Sequence, residues 1–231
     1  MDAVDWKDWM PPALVYFKKF KSQPKLVSEF LKRLERVSYY LLITIGGFNA
    51  RLEKFRSLIE AIQRDDFDGD SSKLEAMHLS DKEMKDFREA LNGDIYSKLP
   101  KARAALVLSL EKLMNDQSAI FEYRNVQIEH ILPQRPAKNS DWLTLFADQE
   151  IRDDWTHRIA NLAPLYSRKN PAASNYDFNK KKEVYFFGKD NTTSPFALIN
   201  NLRGVEVWTP EVLEKRQKML LDKLYKHWEL N

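Results

Sequence analysis

A chain of 231 residues with 37 Lys+Arg, 34 Asp+Glu and no Cys is long enough for one large domain or two small ones, each with a hydrophobic core. The lack of Cys excludes a disulfide scaffold and Cys-ligated zinc, and with six Gly the chain has neither a G-x-x-x-x-G-K-[ST] nor a G-x-G-x-x-G phosphate cradle. A net charge of +3 does not by itself argue for nucleic acid.

No apolar run approaches a membrane span; the nearest, Tyr39 to Ile45, is short and contains Thr44. The N-terminal Met1-Asp2-Ala3-Val4-Asp5 lacks the basic-then-apolar pattern of a signal peptide. The expectation is a soluble, cytoplasmic protein or a piece of one.

The first half reads as helices. From Pro24, the positions Val27, Phe30, Leu31, Leu34, Val37 and Leu41 follow helical spacing. After Gly46-Gly47, Leu52, Phe55, Leu58, Ile59 and Ile62 begin a second periodic segment. The acidic stretch Asp65 to Asp70 lacks the ligand spacing of a calcium loop and reads as a polar turn. Ser72-x-x-Glu75 and Ser80-x-x-Glu83 have capping-box form and predict two helix starts. Asn92-Gly93 marks a turn, and Pro100 opens a helix carrying Ala104, Leu106, Leu110, Leu113 and Met114. These elements read as packing helices, assigned to a bundle or connecting segment over 1–115.

Character changes in 116–231. Tyr123 to Leu132 brings β-branched and aromatic residues with strand alternation, ended by Pro133 and Pro136. Trp142 to Trp155 reads as a mostly helical insertion. Asn161 to Tyr166 reads as a second strand, which Pro164 confines to an edge or bulge. Asn179 to Phe187 is a basic, aromatic helix candidate. Thr209-Pro210-Glu211 supplies an N-cap, a first-position proline and an early acid for the closing helix.

Of four histidines, His130 has the unusual setting, Ile128-Glu129-His130-Ile131-Leu132-Pro133-Gln134. An acid beside a histidine at a strand end suits phosphodiester hydrolysis, because neutral imidazole accepts a proton from water and a carboxylate oxygen is a hard cation ligand. On a regular strand the two side chains point to opposite faces, so one shared site needs a bend. Taken alone, the dipeptide reads as a part-buried histidine beside a solvated carboxylate. His157 lies close in sequence to Asn161, which leaves it two readings, a residue that reaches the site or, the favoured one, a surface helix residue; His78 and His227 have no partner pattern.

The downstream residues change that reading. Ile128 to Gln134, then Ala160-Asn161-Leu162, then Arg168-Lys169-Asn170 resemble the [DE]-H-I-x-P…N-x…K-N pattern of HNH (His-Me finger, ββα-metal) endonucleases. The closer similarity is to the C-terminal nuclease domain of GmrSD-type, type IV restriction proteins. Asn175, Phe178, Lys181 and Tyr185 match that family's N-x-x-F-x-x-K-x-x-x-Y stretch, and Ile199-Asn200-Asn201 followed by Trp208 to Arg216 match its closing asparagine and W-[ST]-x-x-x-[IL]-x-x-R motifs. The resemblance covers roughly Ala104 to the C-terminus.

It implies a mainly α fold with a small β-hairpin, a helical bundle followed by a ββα-metal core. It implies a metal-dependent DNA endonuclease, a nicking one, using Mg²⁺ or Mn²⁺. His130 would be the general base, Glu129 and Asn170 the metal ligands, and Asn161 a tether of the His130 loop. Lys181, with Arg168 and Lys169, would hold the DNA backbone or developing charge, with Lys180 and Lys182 as further phosphate contacts. Asn170 stands where many HNH proteins have His, and Asn175 is a rival ligand. Resembling proteins carry this domain behind an NTP-hydrolysing sensor domain, as effectors of anti-phage defence. The alternative is a DNA-binding or regulatory module that keeps the ββα shape without turnover.

Overall fold

A computed structural model describes residues 6–44, 47–115, 125–166, 175–187 and 193–231, with the side chain of Tyr185 also left undescribed. The chain forms two compact units, Met1–Ala90 with Tyr225–Asn231, and Leu91–Leu224. Among the described residues no helix is long and apolar enough to cross a membrane.

The first unit is helical: α1 (Met10–Phe20), α2 (Pro24–Thr44), α3 (Phe48–Gln63) and most of α4 (Asp81–Asn92). Sequence reading assigned nothing before Pro24, yet α1 forms with Pro11 and Pro12 in its first turn, where a missing N–H has no intrahelical partner to lose. The predicted apolar faces of α2 and α3 are buried at Phe30, Leu34, Val37, Leu41, Phe55, Leu58 and Ile62, whereas Leu31 and Leu52 are exposed. Tyr16 stacks on Phe30 with ring centroids 3.8 Å apart.

The two capping-box patterns behave differently. Ser80 and Glu83 form the reciprocal pair, the Ser80 N–H donating to the Glu83 carboxylate at 2.7 Å and the Glu83 N–H to Ser80 Oγ at 3.3 Å. Ser72 starts no α-helix. Asp70 Oδ1 takes its N–H at 2.9 Å, and the chain makes two short 3₁₀ turns, Ser71–Lys73 and Glu75–Met77. His227 finds a partner that no pattern announced, Glu35, with Nε2 2.8 Å from Oε2.

Gly69 sits at φ 94°, and its carbonyl accepts the Tyr16 hydroxyl at 2.5 Å. A Cβ there would lie 2.7 Å from Phe20 Cε1 and 2.9 Å from Leu26 Cδ1. Backbone strain and overpacking act together, so Gly69→Ala should destabilise this unit by about 2–4 kcal/mol, read as a lower urea midpoint.

The second unit continues with α5 (Ile95–Lys98) and α6 (Arg103–Met114). The latter begins three residues after Pro100, because the Ala102 and Arg103 N–H groups both close a turn onto the Leu99 carbonyl at 2.9 Å. Strand β1 (Val126–His130) follows, then α7 (Trp142–Leu145), α8 (Gln149–Thr156) and β2 (Leu162–Tyr166). β1 and β2 pair antiparallel, with Glu129 opposite Ala163, His130 opposite Leu162, and Pro164 opposite Ile128. A sheet of two strands leaves each one an edge, and there Pro164 is tolerated.

The basic, aromatic helix is a short α-turn, α9 (Phe178–Lys181), running into a π-turn, Lys182–Phe186. The wider turn accompanies burial of both Phe186 and Phe187 alongside Phe178. α10 (Ala197–Asn200) and the long α11 (Pro210–Trp228) complete the order. Among the described residues the molecule is thus mainly helical with a small two-stranded antiparallel sheet. The hairpin is braced by Ile131, Leu132, Trp142, Phe178, Phe196 and Trp208.

Candidate active site

His130 ends β1 and is buried at 7% exposure. Its Nε2 lies 3.2 Å from Nδ1 of His157, and its Nδ1 lies 3.3 Å from the side-chain nitrogen of Gln134. The Tyr96 ring sits 4.1 Å from the His130 ring, centroid to centroid. Burial, followed by the charges of His157, Lys181 and Arg103, pushes the His130 imidazole down to about 3. It is therefore neutral at physiological pH, the state a proton acceptor requires.

β1 is regular through His130, and its register with β2 leaves no bulge between Glu129 and His130, so the bend expected for a shared site is absent and the two side chains leave opposite faces of the strand. The link between them is Lys181. Its ammonium is buried at 3% exposure and donates to the His130 carbonyl at 2.7 Å. Burial draws the Lys181 amine down to about 8, opposed by the negative charge of Glu129. In return, burial raises the Glu129 carboxyl and Lys181 lowers it. A half-buried carboxylate and a buried ammonium therefore flank the end of β1.

Asn161 is fully buried at the end of a 3₁₀ turn, Ile159–Asn161, that leads into β2. Its side-chain oxygen accepts the Leu132 N–H at 2.7 Å, and its amide nitrogen donates to the carbonyls of Leu132 and Thr156, both at 2.9 Å. Its backbone carbonyl accepts the Ile131 N–H at 2.9 Å. One residue thus fixes the chain on the far side of His130 through both its main chain and its side chain.

The closing sequence motif has a physical reason. Trp208 Nε1 donates to the Asn161 oxygen at 3.3 Å, and its ring stacks on Phe178 at 5.2 Å. Arg216 is buried and donates to the Ala160 and Leu198 carbonyls and the Asn201 side-chain oxygen at 3.0, 3.1 and 2.7 Å. Burial lowers the guanidinium pKa to about 10, against the favourable charge of Glu111. Gln217 accepts the Ala160 N–H at 3.0 Å. Glu111, also buried, accepts the N–H groups of Ala197 and Leu198 at 2.6 and 2.9 Å, capping α10. Both backbone groups of Ala160 are thereby held from α11, one residue before Asn161.

The remaining expected site residues are placed less centrally. Arg168, Lys169 and Asn170 lie outside the described residues. Asn175 is exposed. Lys180 is an exposed cation 2.8 Å from Glu183. Lys182 turns inward, donating to the Val205 and Arg203 carbonyls at 2.7 and 3.1 Å. Among the described residues, no group of three or more His, Asp or Glu is arranged to hold a metal ion.

Of the two sequence readings of His157, the surface helix was favoured, yet its ring meets that of His130. His157 caps the C-terminal end of α8, and its carbonyl accepts the N–H groups of Ile95 and Tyr96 at 3.0 and 3.1 Å. Its ring lies against that of His130, with centroids 5.2 Å apart. Its position four residues before Asn161 was the available signal. Tyr96 and Arg103, whose guanidinium lies 4.1 Å from the Tyr96 ring centroid, carried none, because they come from a different part of the chain.

Comparison with known families gives a match over much of the chain. Residues 81–223, more than half of the chain, match the family described as GmrSD restriction endonucleases, C-terminal domain. None of the curated proteins matches.

Proposed function

We propose that this chain, which belongs to the family of GmrSD restriction endonuclease C-terminal domains, is the DNA-cleaving effector of an anti-phage restriction protein, a metal-dependent HNH-type nuclease that nicks its substrate. The observation that carries the reading is the end of β1. A neutral, buried His130 is held between the Asn161 tether and the Lys181 ammonium, whose charge also acts on the half-buried Glu129. Burying a lysine and an arginine around so small a hairpin costs stability, and such expense is usual where chemistry is done.

His130 accepts the proton of the attacking water. Lys181 fixes the His130 backbone and sets positive potential beside the reacting phosphate. Glu129 fits a divalent cation in its chemistry, being a hard oxygen donor whose partial desolvation a cation would relieve. Asn170 is proposed as its companion, with Asn175 as the rival. So sparse an oxygen donor set suits Mg²⁺ or Mn²⁺ that keeps several waters, and the bound ion would polarise the scissile phosphate. Arg168, Lys169 and Lys180 are proposed to contact DNA phosphates. Lys182, occupied by two carbonyls, would have to leave them to do the same. The ββα core, the cytoplasmic setting and an NTP-hydrolysing sensor domain ahead of the bundle belong to the same proposal.

The test is supercoiled plasmid incubated with the purified chain in Mg²⁺, Mn²⁺ or EDTA. Open-circle product with either metal and none in EDTA is expected. Salt-sensitive DNA binding without turnover, in the isolated chain and in the full-length protein alike, would instead establish the binding module.

A further inference from the structure

We infer that His157 is a positioning residue that sets the tautomer of His130, leaving the lone pair of its Nδ1 as the one that faces substrate. This rests on the nuclease reading for its consequence, but not for its geometry. The nitrogens His130 Nε2 and His157 Nδ1 are 3.2 Å apart, within hydrogen-bond reach, and a contact between two ring nitrogens holds a single hydrogen. On the other side of the ring, His130 Nδ1 faces the amide nitrogen of Gln134 at 3.3 Å. An amide nitrogen only donates, so Nδ1 is the acceptor, and the ring hydrogen sits on Nε2, pointing at His157.

The two contacts differ in rigidity. Gln134 is exposed and its contact is long, and its amide can turn over, so it does not decide the tautomer alone. His157 is clamped. Its carbonyl accepts two N–H groups from the start of α5, at 3.0 and 3.1 Å. Tyr96 stacks on its ring at 5.7 Å and 19° while also touching His130, and the Arg103 guanidinium lies over the Tyr96 ring. A fixed partner at Nε2 thus faces a displaceable group at Nδ1.

Only one of the two arrangements is competent. If the hydrogen belonged to His157 and pointed at His130 Nε2, then His130 Nδ1 would already be protonated and could take nothing from water. With the hydrogen on His130 Nε2, water replaces the Gln134 amide at Nδ1. The water O–H proton passes to that nitrogen as its oxygen bonds to phosphorus, the bond from phosphorus to the leaving sugar oxygen breaks, that oxygen takes a proton from solvent, and the Nε2–H of His130 stays hydrogen-bonded to His157 Nδ1 throughout. His157 then serves as the carboxylate does in a Ser-His-Asp triad, orienting the base rather than reacting.

The test uses the full chain labelled with ¹⁵N-histidine. Ring ¹⁵N shifts are read at neutral pH in the wild type, His157→Leu and His157→Asn, with plasmid nicking measured alongside. An Nε2–H tautomer of His130 is expected in the wild type. His157→Leu should give a mixture of tautomers and a kcat lower by about 10–100-fold at little-changed KM. His157→Asn, whose amide oxygen falls near the position of Nδ1, should restore both. A wild-type His130 protonated at Nδ1, or an unchanged tautomer in His157→Leu, overturns the inference. The tautomer is read without turnover, so the inference is decided even if no plasmid is cut. In that case the nuclease reading fails separately. Should His157→Leu not fold, the wild-type shifts and His157→Asn still decide it.

Discussion

His130→Ala should reduce plasmid nicking by about 10²–10⁴-fold, the usual worth of a positioned general base, with DNA binding close to wild type. The loss should fall on kcat, because the imidazole acts on the reacting water and not on the phosphate backbone. His130→Gln serves as the companion variant: it fills more of the space beside Tyr96 and retains polar atoms but has no basic nitrogen, so it should be equally inactive with a smaller loss of stability. Either variant cutting at the wild-type rate would remove His130 from the mechanism. A second signature is independent of turnover. Burial holds the folded His130 at about 3, well below its ordinary value of 6.5. Between those values the unfolded chain binds the additional proton, so this group's contribution to stability is present above about pH 6.5 and is lost as pH falls toward 3. In both variants the acid-side loss of stability should be shallower than in the wild type.

How much of this was legible in the sequence depends on where the information lies. The two strands and the closing helix were marked locally, by alternation around Ile128 and by Thr209-Pro210-Glu211. The partners of Asn161, Trp208 and Arg216 were not, because a motif gives residues in order and not what they touch. The W…R spacing signals a pattern, and its physical content is a hydrogen bond to Asn161 and a grip on the Ala160 carbonyl. The site was the less favoured reading of His157 for a similar reason. In the sequence it is a polar residue at the end of a polar helix, whereas its main chain is held by two N–H groups from α5 and its ring meets His130 and Tyr96, all distant in sequence. Ser72 failed as a helix start because Asp70, two residues earlier, competes for the same N–H. Lys182 has the composition of a phosphate contact but serves as a cap for backbone carbonyls. Local chemistry was readable, and pairings between distant segments were not.

Asn161→Ala should lower the stability of the second unit by about 3–5 kcal/mol, since it strands several fully buried polar groups at about 1–3 kcal/mol each before relaxation. The groups left without partners are the N–H and C=O of Leu132, the Thr156 carbonyl and the Trp208 indole N–H. For a unit of this size the melting temperature should fall by roughly 10 °C. Nicking should fall with it, because Leu132 follows His130 by two residues and its position sets the base. Asn161→Asp separates the tether from any role as a metal ligand. An added carboxylate would preserve or strengthen cation binding. Here it would instead present an oxygen to the Leu132 and Thr156 carbonyls, where the amide nitrogen now donates at 2.9 Å. Asn161→Asp should therefore be as unstable as Asn161→Ala and no more active. A stable, active Asn161→Asp would show that this side chain works by donating oxygen to a cation rather than by holding two carbonyls in place.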